Sequence, residues 1–287
     1  MFERFIVATD LSPAAAAVVS CLSGLQAYGA QHCLLLQCLS FSNASSTAYS
    51  YSTEPLEKML DEQKQILEQQ GFQVEARTVV GAPKREINRI AAKEDYALIV
   101  IGAQGHSLAE EKMLGGVAYG IINKAKQPVL VVPVEKEKAA DDVCKPVERC
   151  GFSDHLLFAT DFSEMADNAF GTVEELVSQG VGKVTLGHVQ DKIKLEQHLK
   201  DRLEEFNQHD RERLENLKQV LLSKGNPEIK TEVCYGHPYE EITRLIRDRD
   251  VQMAVMGTQG HGFVREIFLG SVSHNVVRHS VAPVLLV

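Results

Sequence analysis

The chain contains the same pattern twice. Ile6-Val7-Ala8-Thr9-Asp10 returns as Leu157-Phe158-Ala159-Thr160-Asp161, and Gly81-Ala82-Pro83-Lys84-Arg85-Glu86-Ile87 returns as Gly236-His237-Pro238-Tyr239-Glu240-Glu241-Ile242. Ile99-Val100-Ile101-Gly102-Ala103-Gln104-Gly105-His106 matches Ala254-Val255-Met256-Gly257-Thr258-Gln259-Gly260-His261, and Gln127-Pro128-Val129-Leu130-Val131-Val132 matches Ala282-Pro283-Val284-Leu285-Leu286-Val287. Order and approximate spacing are kept, which makes these two copies of one domain. A chain of 287 residues has room for both, each with its own core. The copies are assigned to 1–134 and 152–287. Between them, Glu135–Gly151 is charged, Ala-rich and holds Pro146, and reads as a linker.

Within each copy, short Val/Ile/Leu runs alternate with longer stretches of helical period. In the second copy the runs 155–160, 183–188, 228–234, 253–256 and 284–287 are predicted strands. The segments 164–179, 195–223, 239–248 and 271–279 are predicted helices. Runs that are apolar throughout imply a parallel sheet covered on both faces. The expected fold class is therefore α/β: two tandem doubly wound domains, each a five-stranded, mostly parallel sheet with helices on both faces. Ligands of such sheets sit outside the carboxyl ends of the strands, where the strand order reverses. The stretch 191–225, with Leu195, Leu199, Leu203, Phe206, Leu214, Leu217 and Leu221 at near-helical spacing, reads as an amphipathic cover helix.

Composition removes several function classes. The net charge is −9 with no sustained basic run, which argues against nucleic-acid binding through counterion displacement. No apolar run approaches the ~18 residues of a membrane span, so no membrane role is expected. Met1-Phe2-Glu3-Arg4-Phe5 enters a strand directly, without the pattern of a secretory leader, and the expected location is the cytoplasm. None of the six cysteines (Cys21, Cys33, Cys38, Cys144, Cys150 and Cys234) forms C-x-x-C or pairs with His at zinc-finger spacing. They are expected to be thiols that behave as small hydrophobes, with Cys144 and Cys150 the most exposed pair.

One motif carries chemistry. Gly257-Thr258-Gln259-Gly260 follows a predicted strand and Gly270-Ser271 opens the last predicted helix, giving G-x2-G-x9-G-S. Glycines let the backbone turn sharply and approach a ligand, and a helix start presents free N–H groups and a positive dipole end to an anion. The Ser271 hydroxyl is placed to cap the helix or donate to a phosphate oxygen. No G-x4-G-K-[ST] loop exists; Gly180-Val181-Gly182-Lys183 precedes a strand and lacks the following Ser or Thr. Asp161 has two readings: the start of a helix, or a carboxylate that accepts ribose or adenine hydrogens. His106 and His261 read as loop histidines, since neither has a carboxylate or cysteine placed to complete a catalytic or metal set.

These residues make the chain resemble the universal stress protein family over essentially its whole length, twice. The resemblance implies a fold of the adenine nucleotide alpha-hydrolase type, with ATP or AMP as ligand and Mg²⁺ carried by the phosphates. It places Asp161, next to Thr160, at the nucleoside. Val189, after His188, would present backbone groups to the adenine edge. Gly257 and Gly260 would line ribose and phosphates, with Gln259 between them in reach of phosphate, while Gly270, Ser271 and Val272 would hold the phosphate tail. In the first copy the matching positions are Asp10, Gly102, Gly105 and Gly115. The resemblance further implies a homodimer, or an intramolecular pseudo-dimer, joined through the last strands, 283–287 facing 128–132.

The copies differ where it matters. Gly116 stands in place of Ser271, Glu110 in place of Arg265, and Cys38 in place of Val189. An acid near a polyphosphate repels it, by about 4 kcal/mol at ~4 Å and an effective dielectric near 20, and much less if exposed. The second copy is expected to be the tighter nucleotide binder and the first a weakened one. The leading function is a nucleotide-binding regulator in stress response, with no catalytic residues and at most slow ATP hydrolysis. The alternatives are an adenylyl-transferring or ATP-cleaving enzyme, and a nucleotide-free interaction module. A thiol or metal sensor built on His32, Cys33, Cys38 and His188 has little positional support.

Overall fold

Strands of uninterrupted Val, Ile, Leu and Phe have no face suited to water, and such strands lie buried on both faces in each unit. The computed structural model describes residues 1–39, 53–103, 114–136, 144–146, 152, 154–193, 203–260 and 269–287. The chain divides into two units, Met1–Cys150 and Gly151–Val287.

In the first unit, β1 (Arg4–Thr9), α1 (Pro13–Val19), β2 (His32–Leu39), α2 (Thr53–Gln69), β3 (Gln73–Val80), α3 (Pro83–Lys93), β4 (Leu98–Gly102), α4 (Gly116–Ile122) and β5 (Val129–Val132) alternate along the chain. The strands lie in the order β3-β2-β1-β4-β5, every pair parallel. Two short strands follow, β6 (Val134–Lys136) and β7 (Cys144–Pro146), paired antiparallel. Part of the expected linker is thus a β-ribbon.

The second unit runs β8 (Leu156–Thr160), α5 (Glu164–Ser178), β9 (Lys183–Asp191), α6 (Leu203–Lys224), β10 (Glu228–Gly236), α7 (Pro238–Asp248), β11 (Met253–Met256), α8 (Ser271–His279) and β12 (Val284–Leu286). Its parallel order is β10-β9-β8-β11-β12. In both units the direction of winding reverses next to the first strand. The loops after β8 and β11 therefore flank the crevice where such sheets bind ligands.

Strand alternation places the helices. A Cβ at Gly187 of β9 would stand 3.4 Å from Leu245 of α7, whereas Gln190, of opposite parity, reaches Asp210 of α6. The two helices cover opposite faces. The central strands are apolar as expected; β8 is buried along its whole length. The edge strands differ from the uniformly apolar expectation, because β3 and β10 are half-exposed and charged. Arg77 pairs with Glu75 (2.7 Å) and with Glu94 (2.8 Å), and Glu232 pairs with Arg249. Charges on an edge discourage pairing with another chain, which explains their place.

His155, just before β8, is buried, and its Nε2 lies 2.9 Å from the buried Thr185 Oγ1. Burial, aided by Lys183, lowers its pKa, so the folded unit holds the ring neutral. Above the ordinary histidine value of about 6.5 this contributes fully to stability; as pH falls below it, the unfolded chain takes up a proton first and stability declines. Thermal unfolding followed from pH 8 to 5 is expected to show a loss of Tm below pH 6.5 that is shallower in His155→Gln.

Candidate functional site

The site begins with a local turn. Thr160 Oγ1 accepts the Phe162 N–H (2.9 Å), while Asp161 Oδ1 accepts both the Ser163 N–H (3.1 Å) and the Ser163 hydroxyl (2.6 Å). Ser163 Oγ in turn accepts the Ala166 N–H (3.3 Å) and caps α5. These bonds hold Phe162 at φ 59°, a left-handed conformation that side chains other than glycine usually avoid. The first unit repeats the arrangement. Thr9 Oγ1 accepts the Leu11 N–H (3.0 Å), Asp10 Oδ1 accepts the Ser12 N–H (3.0 Å), and Leu11 has φ 60°. The helix-start reading of Asp161 is therefore met by one of its oxygens.

The other oxygen faces the glycine loop. A Cβ at Gly260 would collide with Asp161 Oδ2 and stand 3.2 Å from Asp161 Cγ. Only a glycine lets this backbone lie against the carboxylate. Gly257 is as crowded on its own side, since a Cβ there would stand 3.1 Å from the Met165 carbonyl of α5. The loop is tied to the last helix by Gly270 N donating to the Thr258 carbonyl (2.8 Å) and Ser273 Oγ donating to the Gly257 carbonyl (2.8 Å). Thr258 N also donates to the Val287 carbonyl (3.1 Å).

Helix α8 starts at Gly270 with no side-chain cap, and its first intrahelical bond runs from His274 N to the Gly270 carbonyl (2.8 Å). The amides of Ser271, Val272 and Ser273 come before that bond, at the positive end of the helix. Ser271 itself is exposed. The loops after β8 and β11 thus bring Thr160, Asp161, Gly257, Gln259, Gly260, Gly270, Ser271 and Val272 to one edge of the sheet. His188 and Val189 end the neighbouring strand, β9, with His188 opposite Thr160.

Sequence reasoning singled out His188 but passed over the side chains around it at this edge. His188 Nδ1 donates to the Thr160 carbonyl (2.8 Å) and its ring lies 4.7 Å from that of Phe162. The Arg213 guanidinium sits 3.7 Å from the centre of the Phe162 ring, a cation–π contact. Asp210 Oδ2 accepts from Gln190 Nε2 (2.7 Å) and is 3.5 Å from His188 Nε2. The signal was a gap in the leucine stripe of α6: Asp210 falls on the inward side between Phe206 and the buried Leu214.

In the first unit, Asp10, Gly102 and Gly115 hold matching places, and Gly115 N donates to the Ala103 carbonyl (2.9 Å) as Gly270 does to Thr258. The end beside β2 differs. Thr9 Oγ1 donates to Oε1 of the buried Gln63 on α2 (2.7 Å), and Gln37 replaces His188 opposite Thr9. Burial, with Glu86 nearby, pushes the Cys38 thiol up to about 11, and burial raises Cys33 as well, so neither has the thiolate character of a sensor. No metal-capable cluster occurs among the described residues. The expectations for Gly105, His106, Glu110, His261, Arg265, Leu195, Leu199 and Cys150 lie outside the described residues, as do those for the side chains of Cys144 and Leu203.

Comparison with known proteins agrees with this architecture. The chain is similar to universal stress protein MJ0577 of Methanocaldococcus jannaschii, with 31% identity over 151 residues, covering 46% of this chain and 93% of the relative. It is also similar to universal stress protein YxiE of Bacillus subtilis, with 28% identity over 146 residues and 97% of that protein covered. The crystal structure of a universal stress protein from Archaeoglobus fulgidus DSM 4304 superposes with a TM-score of 0.73 at 24% identity, covering 99% of this chain and 96% of that one. The model of the Universal stress protein family matches residues 1–133 and again 153–287, and the chain belongs to that family as a tandem of two such domains.

Proposed function

We propose that the second unit binds an adenine nucleotide, ATP or AMP, and that the protein acts as a regulator governed by occupancy of that site. The observation that carries this reading is the uncapped start of α8, held by hydrogen bonds against a glycine loop that itself lies on the Asp161 carboxylate. One end of the crevice offers main-chain donors and a helix dipole to phosphates. The other offers a carboxylate oxygen to ribose hydroxyls and, at Val189, a strand end to the base. Gly257, Gly260, Gln259, Gly270, Ser271 and Val272 would hold the phosphate side, with Mg²⁺ brought by the phosphates. No nucleophile with a general base stands among the described residues of the edge, which favours binding over turnover.

The first unit is proposed as the weaker binder. Its helix start has the same backbone geometry but lacks a hydroxyl at Gly116, and a Cβ there would meet nothing within 4 Å. Gly116→Ser is therefore sterically free and is expected to strengthen ATP binding at the first unit, while Ser271→Ala weakens it at the second, each by about tenfold. Calorimetric titration of ATP and AMP into the full chain, with native mass measurement of protein purified without added nucleotide, checks both. Equal losses from the two halves would refute the ranking, and absence of any bound nucleotide in either measurement would refute the reading. A turnover faster than about one per second would make the protein an enzyme instead.

A further inference from the structure

The polar cluster at the carboxyl edge of β9 holds a buried acceptor that no donor serves. Gln190 is only 4% exposed; its Nε2 donates to Asp210 Oδ2, and its buried Oε1 has no hydrogen-bond partner. Turning the amide over would set Oε1 against a carboxylate, so Asp210 fixes its orientation. His188 Nδ1 donates to the Thr160 carbonyl (2.8 Å), and its Nε2 lies 3.5 Å from the same Asp210 carboxylate. Neither His188 nor Asp210 donates to Gln190 Oε1. A buried amide oxygen left in this state is unfavourable, and a ligand that brings an N–H hydrogen relieves it.

The cluster is continuous with the nucleotide edge. Gln190 is the residue after Val189, and Phe162, in ring contact with His188, is the residue after Asp161. The strand registers, Thr160 opposite His188 and Thr9 opposite Gln37, put Leu39 of the first unit where the second has Gln190. The first unit therefore has an apolar side chain at this position.

Resting on the nucleotide reading above, we infer that Gln190 Oε1 accepts a hydrogen from the exocyclic amino group of the bound base and makes the second unit selective for a 6-aminopurine over a 6-oxopurine. A 6-amino group carries two hydrogens, one for a strand carbonyl and one for Gln190. A 6-oxo group brings no exocyclic hydrogen and sets an acceptor against Oε1.

The test is calorimetric titration of the full chain with ATP, with ITP and with purine riboside 5′-triphosphate, which has hydrogen at position 6. Wild type is expected to prefer ATP over each by about 30-fold or more, and Gln190→Leu to reduce both preferences by about tenfold, mainly by weakening ATP. Leucine already stands at the corresponding place in the first unit, and Gln190→Met, closer in shape, gives a second variant with the same expected outcome. Equal binding of ATP and ITP by wild type would overturn the inference. So would an unchanged ratio in either variant that still binds ATP, which would make Gln190 Oε1 a partner for water only. Both outcomes leave nucleotide binding itself standing, whereas failure of all three ligands to bind wild type would overturn the two together.

Discussion

Gly260→Ala is expected to weaken ATP binding to the second unit by about 100-fold or more while shifting its Tm by only a few degrees. The added methyl would occupy space held by Asp161 Oδ2. The carboxylate cannot simply turn aside, because Oδ1 is held by the Ser163 N–H (3.1 Å) and hydroxyl (2.6 Å), and releasing it breaks both bonds of the turn before α5. The loop would have to retreat instead, pulling at the Gly270–Thr258 bond that sets the start of α8. Carboxylate, glycine backbone and helix amides would then no longer converge on one ligand, and the loss of two or more charge-assisted contacts has the stated size. Gly171→Ala is the matched control. Gly171 lies inside α5, and a methyl added there would meet nothing within 4 Å, so alanine is expected to stabilise by about 0.5–1 kcal/mol without touching affinity. Titration of both variants decides the matter; undiminished ATP binding by Gly260→Ala would show that the loop is not part of the site.

The largest effect on stability is expected from Phe158→Ala, at about 3–5 kcal/mol. Phe158 is fully buried in β8, the strand flanked by β9 and β11, and its ring packs 5.4 Å from that of Phe170 on α5. Removal of the ring strips contacts from the strand that carries Asp161 and opens a cavity between sheet and helix. Against the roughly 5–15 kcal/mol typical of a whole domain, that is a large fraction. Denaturant unfolding followed by a probe in the second unit measures it, and a cost below about 1 kcal/mol would mean that the sheet closes over the gap.

Much of this architecture was legible because the duplicated segments are the strands and the loops that follow them. Leu156–Thr160, Met253–Met256 and Ser271–His279 fall where apolar runs and the G-S helix opening put them. The edge strands were less plain: Glu228, Lys230 and Glu232 break the apolar run of β10, and their place is set by neighbours that only the sheet order reveals. The glycine-loop side of the candidate site is nearly contiguous in sequence and so could be read directly. The side formed by β9 and α6 is not. Gln190 comes from the strand and Asp210 and Arg213 from the helix, and no local spacing links a strand residue to one on a helix about twenty positions later. Asp210 looked like one more charge in a solvated helix, although its position on the inward stripe set it apart. Gln63, which contacts Thr9 in the first unit, was hidden for the same reason.

The turn shared by Thr9-Asp10-Leu11-Ser12 and Thr160-Asp161-Phe162-Ser163 has a consequence for how relatives of such chains are sorted. One carboxylate oxygen closes the backbone in both halves, so replacing either aspartate would be penalised by folding whatever small molecule the half binds. An acidic residue at that spot is thus a mark of sound construction before it is a mark of occupancy. The more telling position is the glycine whose missing side chain lets the loop lie against the second oxygen, and a survey keyed to the aspartate alone would count as binders halves that merely fold.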